Sequence, residues 1–271
     1  MRPQAPIRKR KLAKVSVPRN NGERVKVFNQ SPEVGHMKIT HPSFVVGIGA
    51  SAGGLNAYKS FFDALPSDTG MAFAVISHIH PAAHSQLAEI LSRHTKMTVE
   101  LAASGMEVLA NQVYVIPGNA DLLIENGALR VVSPRTRRNA QIDIFFASLA
   151  IAMGERAIGI VFSGYDGDGA EGCKRIKAAG GTTFAQDTSA EVSGIPFSAQ
   201  ATGCVDFVLS PDKIPAELDK LIIRFAGGNS GGGGGVNPTY CGSDAIASAQ
   251  SGYPKNNGLG TNTPRFDAIM P

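Results

Sequence analysis

Residues 47–54 read Gly-Ile-Gly-Ala-Ser-Ala-Gly-Gly and close an apolar run that begins at Phe44. After them Leu55, Tyr58, Phe62 and Leu65 keep a helical rhythm. The stretch is therefore a glycine-rich turn between a strand and a helix. Read as Gly47-x-Gly49-x-x-Ala52, it approaches the loop that holds a dinucleotide pyrophosphate at a helix N-terminus. Read as Gly49-x-Ser51-x-Gly53, it presents a nucleophilic serine on a sharp turn.

Strand-like and helix-like patterns go on alternating along the chain. Apolar runs at 44–49, 71–77, 112–116, 157–162, 182–186 and 205–209 lack strict alternation, which suits strands buried on both faces. Between them, Leu87, Ile90, Leu91 and His94, then Ile142, Phe145, Phe146 and Leu149, have helical spacing. A last helix is expected from Ser210 as N-cap and Pro211 in the first turn, fading at Gly227-Gly228. Alternating strands and helices imply an α/β fold, a doubly wound, mostly parallel, Rossmann-like three-layer sheet. Asn126-Gly127 lies between two strand-like runs and marks an antiparallel hairpin near 121–132, because both turn residues accept positive φ.

The ends differ from this middle. Residues 1–40 hold ten Lys/Arg against Glu23 and Glu33, a charge of +8, so the formal total of +4 leaves −4 on the rest. That segment is expected to be a basic, disordered tail whose clustered charge suits polyanions without specifying a nucleic acid. Residues 226–271 are rich in Gly, Ser, Asn and Pro and are expected to be a second disordered tail. One folded domain is assigned to 41–225. No apolar run has the length of a secretory signal or membrane span, and Cys173, Cys204 and Cys241 are odd in number and widely spaced. These features argue against a disulfide framework and for a cytoplasmic protein. His78, His80 and His84 invite a metal reading, but no H-E-x-x-H pattern or partner cysteine accompanies them, so neither metal nor cofactor is expected.

The residues after the second strand separate the two readings of the loop. A dinucleotide site needs an acidic residue there for the ribose; the sequence has Ser77-His78-Ile79-His80-Pro81 instead. In an open parallel sheet the carboxyl ends of neighbouring strands converge on one crevice, so His78 is placed to act as base for Ser51. Ser163-Gly-Tyr-Asp166-Gly-Asp168-Gly169 ends another strand and offers a carboxylate to orient the imidazole.

Taken together and in order, these segments resemble the catalytic domain of the chemotaxis protein-glutamate methylesterases, CheB. GIGASAGG resembles the family's G-x-S-T-G-G loop, AVISHIHP its V-Q-H-M-P segment, and SGYDGDGAEG its T-G-M-G-x-D-G-A-x-G segment. VYVIPGNADLLIENG and FAQDTSAEVSGIPFSAQATGCVD resemble two further regions, so the likeness spans about 44–210. It implies Ser51 as nucleophile, His78 as general base and Asp168 as orienting acid, with backbone amides near His78 and Tyr165 as the oxyanion hole. The implied activity is demethylation of glutamyl methyl esters, with deamidation of glutamines, on chemoreceptor-like proteins. ISHIHPAAHSQLAEILSRHT and GERAIGIVFSG are more like the esterase-like domains fused to methyltransferases in sensory proteins, which suggests a methyltransferase partner.

Four positions depart from the pattern. The family's Met-Gly pair is Tyr165-Asp166, its Thr after the nucleophile is Ala52, and its Arg after G-M-P is Phe197. The first 43 residues are too few and too polar for the receiver domain that controls the chemotaxis enzyme. A catalytically impaired interaction module of a sensory complex is the alternative expectation.

Overall fold

The structure, a computed structural model, describes residues 41–78 and 86–227, with side chains to 225. Residues 1–40 and 228–271 of the two expected tails lie outside the described residues, as do His80, His84 and Cys241, while Ala226 and Gly227 close a helix. Nine strands are found among the described residues: β1 Val45–Ala50, β2 Ala72–Ser77, β3 Thr98–Leu101, β4 Gln112–Val115, β5 Asp121–Glu125, β6 Ala128–Val132, β7 Ala157–Val161, β8 Thr182–Gln186 and β9 Phe207–Leu209. Six α-helices join them: α1 Gly54–Ala64, α2 Leu87–Leu91, α3 Gln141–Met153, α4 Ala170–Ala178, α5 Gly194–Ala201 and α6 Ile214–Gly227.

Seven strands form one parallel sheet in the order β3-β4-β2-β1-β7-β8-β9. From β1 the chain winds outward to β2 on one side and later to β7 on the other. The strand order thus reverses beside β1, where an open sheet leaves a crevice outside its carboxyl ends. Alternate side chains of each strand enter two separate cores. Val46, Ile48, Phe73 and Val75 pack with Tyr58, Phe61 and Phe62 of α1 and Ile214 and Leu218 of α6. Ala74, Ile76 and Val161 face Ile142, Phe145, Phe146 and Leu149 of α3 and Ile176 of α4. Fully burying each such large side chain contributes about 1.5–3 kcal/mol, so both faces of the sheet must be covered.

The glycines of β1 set how closely α3 approaches. A Cβ at Gly47 would lie 2.8 Å from Phe146 Cε1, and one at Gly49 would lie 2.5 Å from Ile142 Cγ2. The phenylalanine rings and Ile142 occupy the space that side chains on β1 would take. This seats the N-terminal end of α3 against the carboxyl ends of β1 and β7.

The hairpin forms between β5 and β6, with Asn126 and Gly127 at φ 53° and 77°. It is tied to α3 where Ile124 N donates to Ser148 Oγ (3.1 Å). Ser210 leads into a 3₁₀ turn, Pro211–Lys213, rather than directly into a helix, and makes no side-chain cap; α6 begins only at Ile214. Cys173 is a free thiol buried in the core, and burial pushes its pKa up. Cys204 is buried as well.

Candidate active site

Register brings the site together. Ala50 of β1 is paired with Ser77 of β2, so Ser51 and His78 are the first residues beyond two adjacent strand ends. On the other side of β1, Phe162 N donates to Gly49 O (2.8 Å) and Ser51 N donates to Ser163 O (2.9 Å). Neighbouring strands run about 4.8 Å apart, so the segments after β1, β2 and β7 necessarily share one crevice.

The turn carrying Ser51 is built against Ser163. Ser163 is fully buried; its hydroxyl donates to Ala52 O (2.8 Å) and accepts from Val192 N (2.9 Å), and its own amide donates to Gln186 Oε1 (3.0 Å). Gly53 then turns the chain into α1 at φ 74°. Gly164 completes the fit: a Cβ there would stand 2.2 Å from Ile195 Cδ1 and 3.0 Å from Ser51 Cβ. Ser163 and Gln186 are functional supports that sequence reasoning did not single out, although Ser163 opens the S-G-Y-D segment.

The structure brings His78 and Asp168 into direct contact. Nε2 of His78 lies 2.6 Å from Asp168 Oδ2, with both side chains almost wholly buried. An ionised carboxylate accepts only, so this nitrogen carries the proton that joins them. Asp168 is itself fixed: Ile142 N donates to Oδ2 (3.0 Å) and Asp143 N to Oδ1 (2.9 Å), both in the first turn of α3. The carboxylate thus serves as a cap from outside the helix, at the end where the macrodipole favours negative charge.

Asp143 returns the same service. Its Oδ1 accepts from Gly169 N (2.9 Å) and Gly172 N (2.7 Å) at the start of α4. The start of α3 is capped by an aspartate just ahead of α4 and the start of α4 by an aspartate in the first turn of α3, and His78 hangs from that junction. Burial pushes the Asp143 carboxyl up to about 6; the Gly172 amide opposes this and the neighbouring Asp168 charge adds to it. The chain position of Asp143, inside an apolar helical run, carried no signal of this role.

The remaining expected residues are arranged around this pair. The backbone amides of His78 and Tyr165 donate no hydrogen bond to another described residue, which leaves both available to an oxyanion. The Tyr165 side chain is 78% exposed and that of Phe197 70% exposed, so neither large residue is packed into the protein. Asp166 has an ordinary negative φ, so a residue other than glycine is accommodated there without backbone strain. Its Oδ2 lies 3.4 Å from His78 Nδ1. No hydrogen bond joins the Ser51 hydroxyl to another described residue. Glu191, also unforeseen, accepts from Asn56 Nδ2 (2.6 Å) beside the Ser51 turn. Among the described residues no group of three or more His, Cys, Asp or Glu is arranged to hold a metal ion.

The family model described as CheB methylesterase matches residues 46–218. A protein-glutamate methylesterase/protein-glutamine glutaminase of Methylobacillus flagellatus is 34% identical over 207 residues, which cover 74% of this chain and 57% of that protein. One from Geobacter metallireducens is 35% identical over 190 residues, 68% of this chain and 52% of that protein. The chain spans about half the length of these two curated relatives. The crystal structure of the Thermotoga maritima CheB methylesterase catalytic domain is similar with a TM-score of 0.61 at 29% identity, over 66% of this chain and 98% of that one.

Proposed function

Because the chain belongs to the CheB methylesterase family, we propose that it is a serine hydrolase that demethylates glutamyl methyl esters, and deamidates glutamines, on chemoreceptor-like proteins. The observation that carries this reading is the 2.6 Å pairing of His78 with Asp168 beside Ser51, at the carboxyl end of the sheet where β1 and β2 end in register.

A free serine hydroxyl is a poor nucleophile near neutral pH, so attack requires a base. In the proposed reaction Ser51 Oγ attacks the ester carbonyl while Nδ1 of His78 takes its proton. The negative oxygen forms against the amides of His78 and Tyr165. The imidazolium, held by Asp168, then protonates the departing methoxide, and methanol leaves. Water adds to the acyl-enzyme with the same base, freeing the glutamate and Ser51. Asp168 fixes the ring orientation and offsets its positive charge. A receptor-bearing sensory complex, with a methyltransferase nearby, is the proposed setting. The cytoplasmic assignment is part of this proposal; among the described residues no helix is long and apolar enough to cross a membrane. The basic segment 1–40 is proposed as a tether to anionic partners.

The test is methanol release from methylated receptor membranes by the full chain, beside Ser51→Ala, His78→Ala and Asp168→Asn. Wild-type release that falls by several orders of magnitude in the Ser51 and His78 variants is the expected result. Wild type no faster than Ser51→Ala on a substrate that another methylesterase turns over would overturn it. That outcome would favour a non-catalytic interaction module, a reading motivated by Asp166 at His78 and the unengaged Ser51 hydroxyl.

A further inference from the structure

We propose that Asp166 is a positioning residue that keeps the His78 imidazole out of use until substrate displaces it, by holding Nδ1, the nitrogen that Ser51 requires. This rests on the reading of Ser51 as nucleophile and His78 as base.

The ring has two nitrogens, and one is already committed. Nε2 is bound to Asp168, which cannot follow a moving ring: its side chain is 0% exposed and two α3 amides hold both oxygens. Proton transfer from Ser51 must therefore use Nδ1. Asp166 Oδ2 faces that atom at 3.4 Å. With carboxylates on both sides, the ring satisfies both only by carrying a proton on each nitrogen, and that imidazolium has no lone pair left for the serine proton.

Asp166 is held loosely where Asp168 is held firmly. Its other oxygen accepts from Asp168 N at 3.2 Å, and its side chain is 28% exposed. Both contacts exceed the roughly 2.7–2.9 Å of a tight charge-assisted bond. Side-chain rotation alone releases the ring, since the backbone at Asp166 is unstrained. Other charged or titratable groups around the crevice are turned elsewhere. Asp143 faces the α4 amides, Glu191 binds Asn56, and the Tyr58 hydroxyl donates to Ile76 O (2.9 Å). Asp166 and Asp168 are the carboxylates that reach the ring among the described residues.

The experiment measures the rate of labelling of the full chain by a fluorophosphonate from pH 5 to 9, for wild type, Asp166→Asn, Asp166→Gly and Ser51→Ala. In labelling, the Ser51 Oγ–P bond forms and the P–F bond breaks; fluoride leaves and the serine proton passes to His78 Nδ1. Asparagine keeps an oxygen for the Asp168 amide, so the loop is preserved. The expected result is that Asp166→Asn labels about tenfold faster than wild type at pH 6.5, with half-maximal labelling reached at lower pH. Labelling confined to the Asp166 variants and dependent on Ser51 also supports the proposal. Superimposable pH profiles, or a slower rate with an unmoved midpoint, would overturn it while leaving the hydrolase intact. Absence of Ser51-dependent labelling in every form at every pH would overturn the nucleophile reading and this inference with it.

Discussion

Gly53 bears the conformational demand of the Ser51 turn. Its φ of 74° lies in the left-handed region, and a Cβ there would meet Ser163 Oγ at 2.6 Å and Glu191 Cβ at 2.8 Å. Gly53→Ala therefore combines about 1–2 kcal/mol of backbone strain with displacement of the serine that braces Ser51. Because misplacement of a reacting group by about 1 Å can cost 10²-fold in rate, the variant should lose far more methanol release than thermal stability. Equal activity in Gly53→Ala and wild type would refute the bracing role of Ser163. Ser51 and His78 stood out as candidates because each follows an apolar run at a strand end, where chemistry collects in an open sheet; the choice of Asp168 over Asp166 came from the family resemblance. Ser163, Gln186 and Asp143 were not, since their roles depend on which backbone amides the fold brings near them.

At the scale of elements, α3 and α4 are joined by the exchange of caps between Asp168 and Asp143. The Asp143 carboxyl, pushed up to about 6 from 3.8 by burial, makes stability depend on pH. Between about pH 4 and 6 the native chain keeps a proton that the unfolded chain has released. This favours the folded state fully below pH 4, and the contribution is lost as pH rises through 6, by at most about 3 kcal/mol. Asp143→Asn keeps the oxygen that accepts from Gly169 and Gly172 but cannot ionise. Urea titrations at pH 4.5 and 7 should show it flatter with pH than wild type and at least as stable at pH 7. A decline as steep as wild type's would exclude Asp143 as its source. The elements that sequence patterning found were those with long apolar runs. It missed β3, whose Thr98, Glu100 and Leu101 are exposed at the sheet edge, and α4, where charged residues dilute the helical pattern. It also missed α5, in which Gly194 and Pro196 read as a turn although Gly194 is required: a Cβ there would lie 2.2 Å from Tyr165 O.

For the whole molecule, the sheet and the hairpin follow from patterning that recurs over some 170 residues, but charge is distributed on another plan. The segment 1–40 carries +8 while the remaining 231 residues sum to −4. A fold with a net acidic domain does not itself seek polyanions; a clustered basic segment does, through electrostatic attraction that salt screens over about 8–10 Å. Changing Arg8, Lys9, Arg10 and Lys11 to glutamine lowers that segment from +8 to +4, since four unit charges are removed. The prediction is that the full chain is retained on an anionic matrix such as heparin or phosphocellulose, and that the four-residue variant elutes at clearly lower salt. Labelling of Ser51 should be unchanged, because Ser51, His78 and Asp168 are left as they are. Identical elution of the two forms would show that retention arises from the domain rather than from the segment, and would remove the physical ground for treating 1–40 as a tether. Elution at lower salt together with slower labelling would instead mean that the basic segment acts on the site itself, a coupling that charge balance alone does not require.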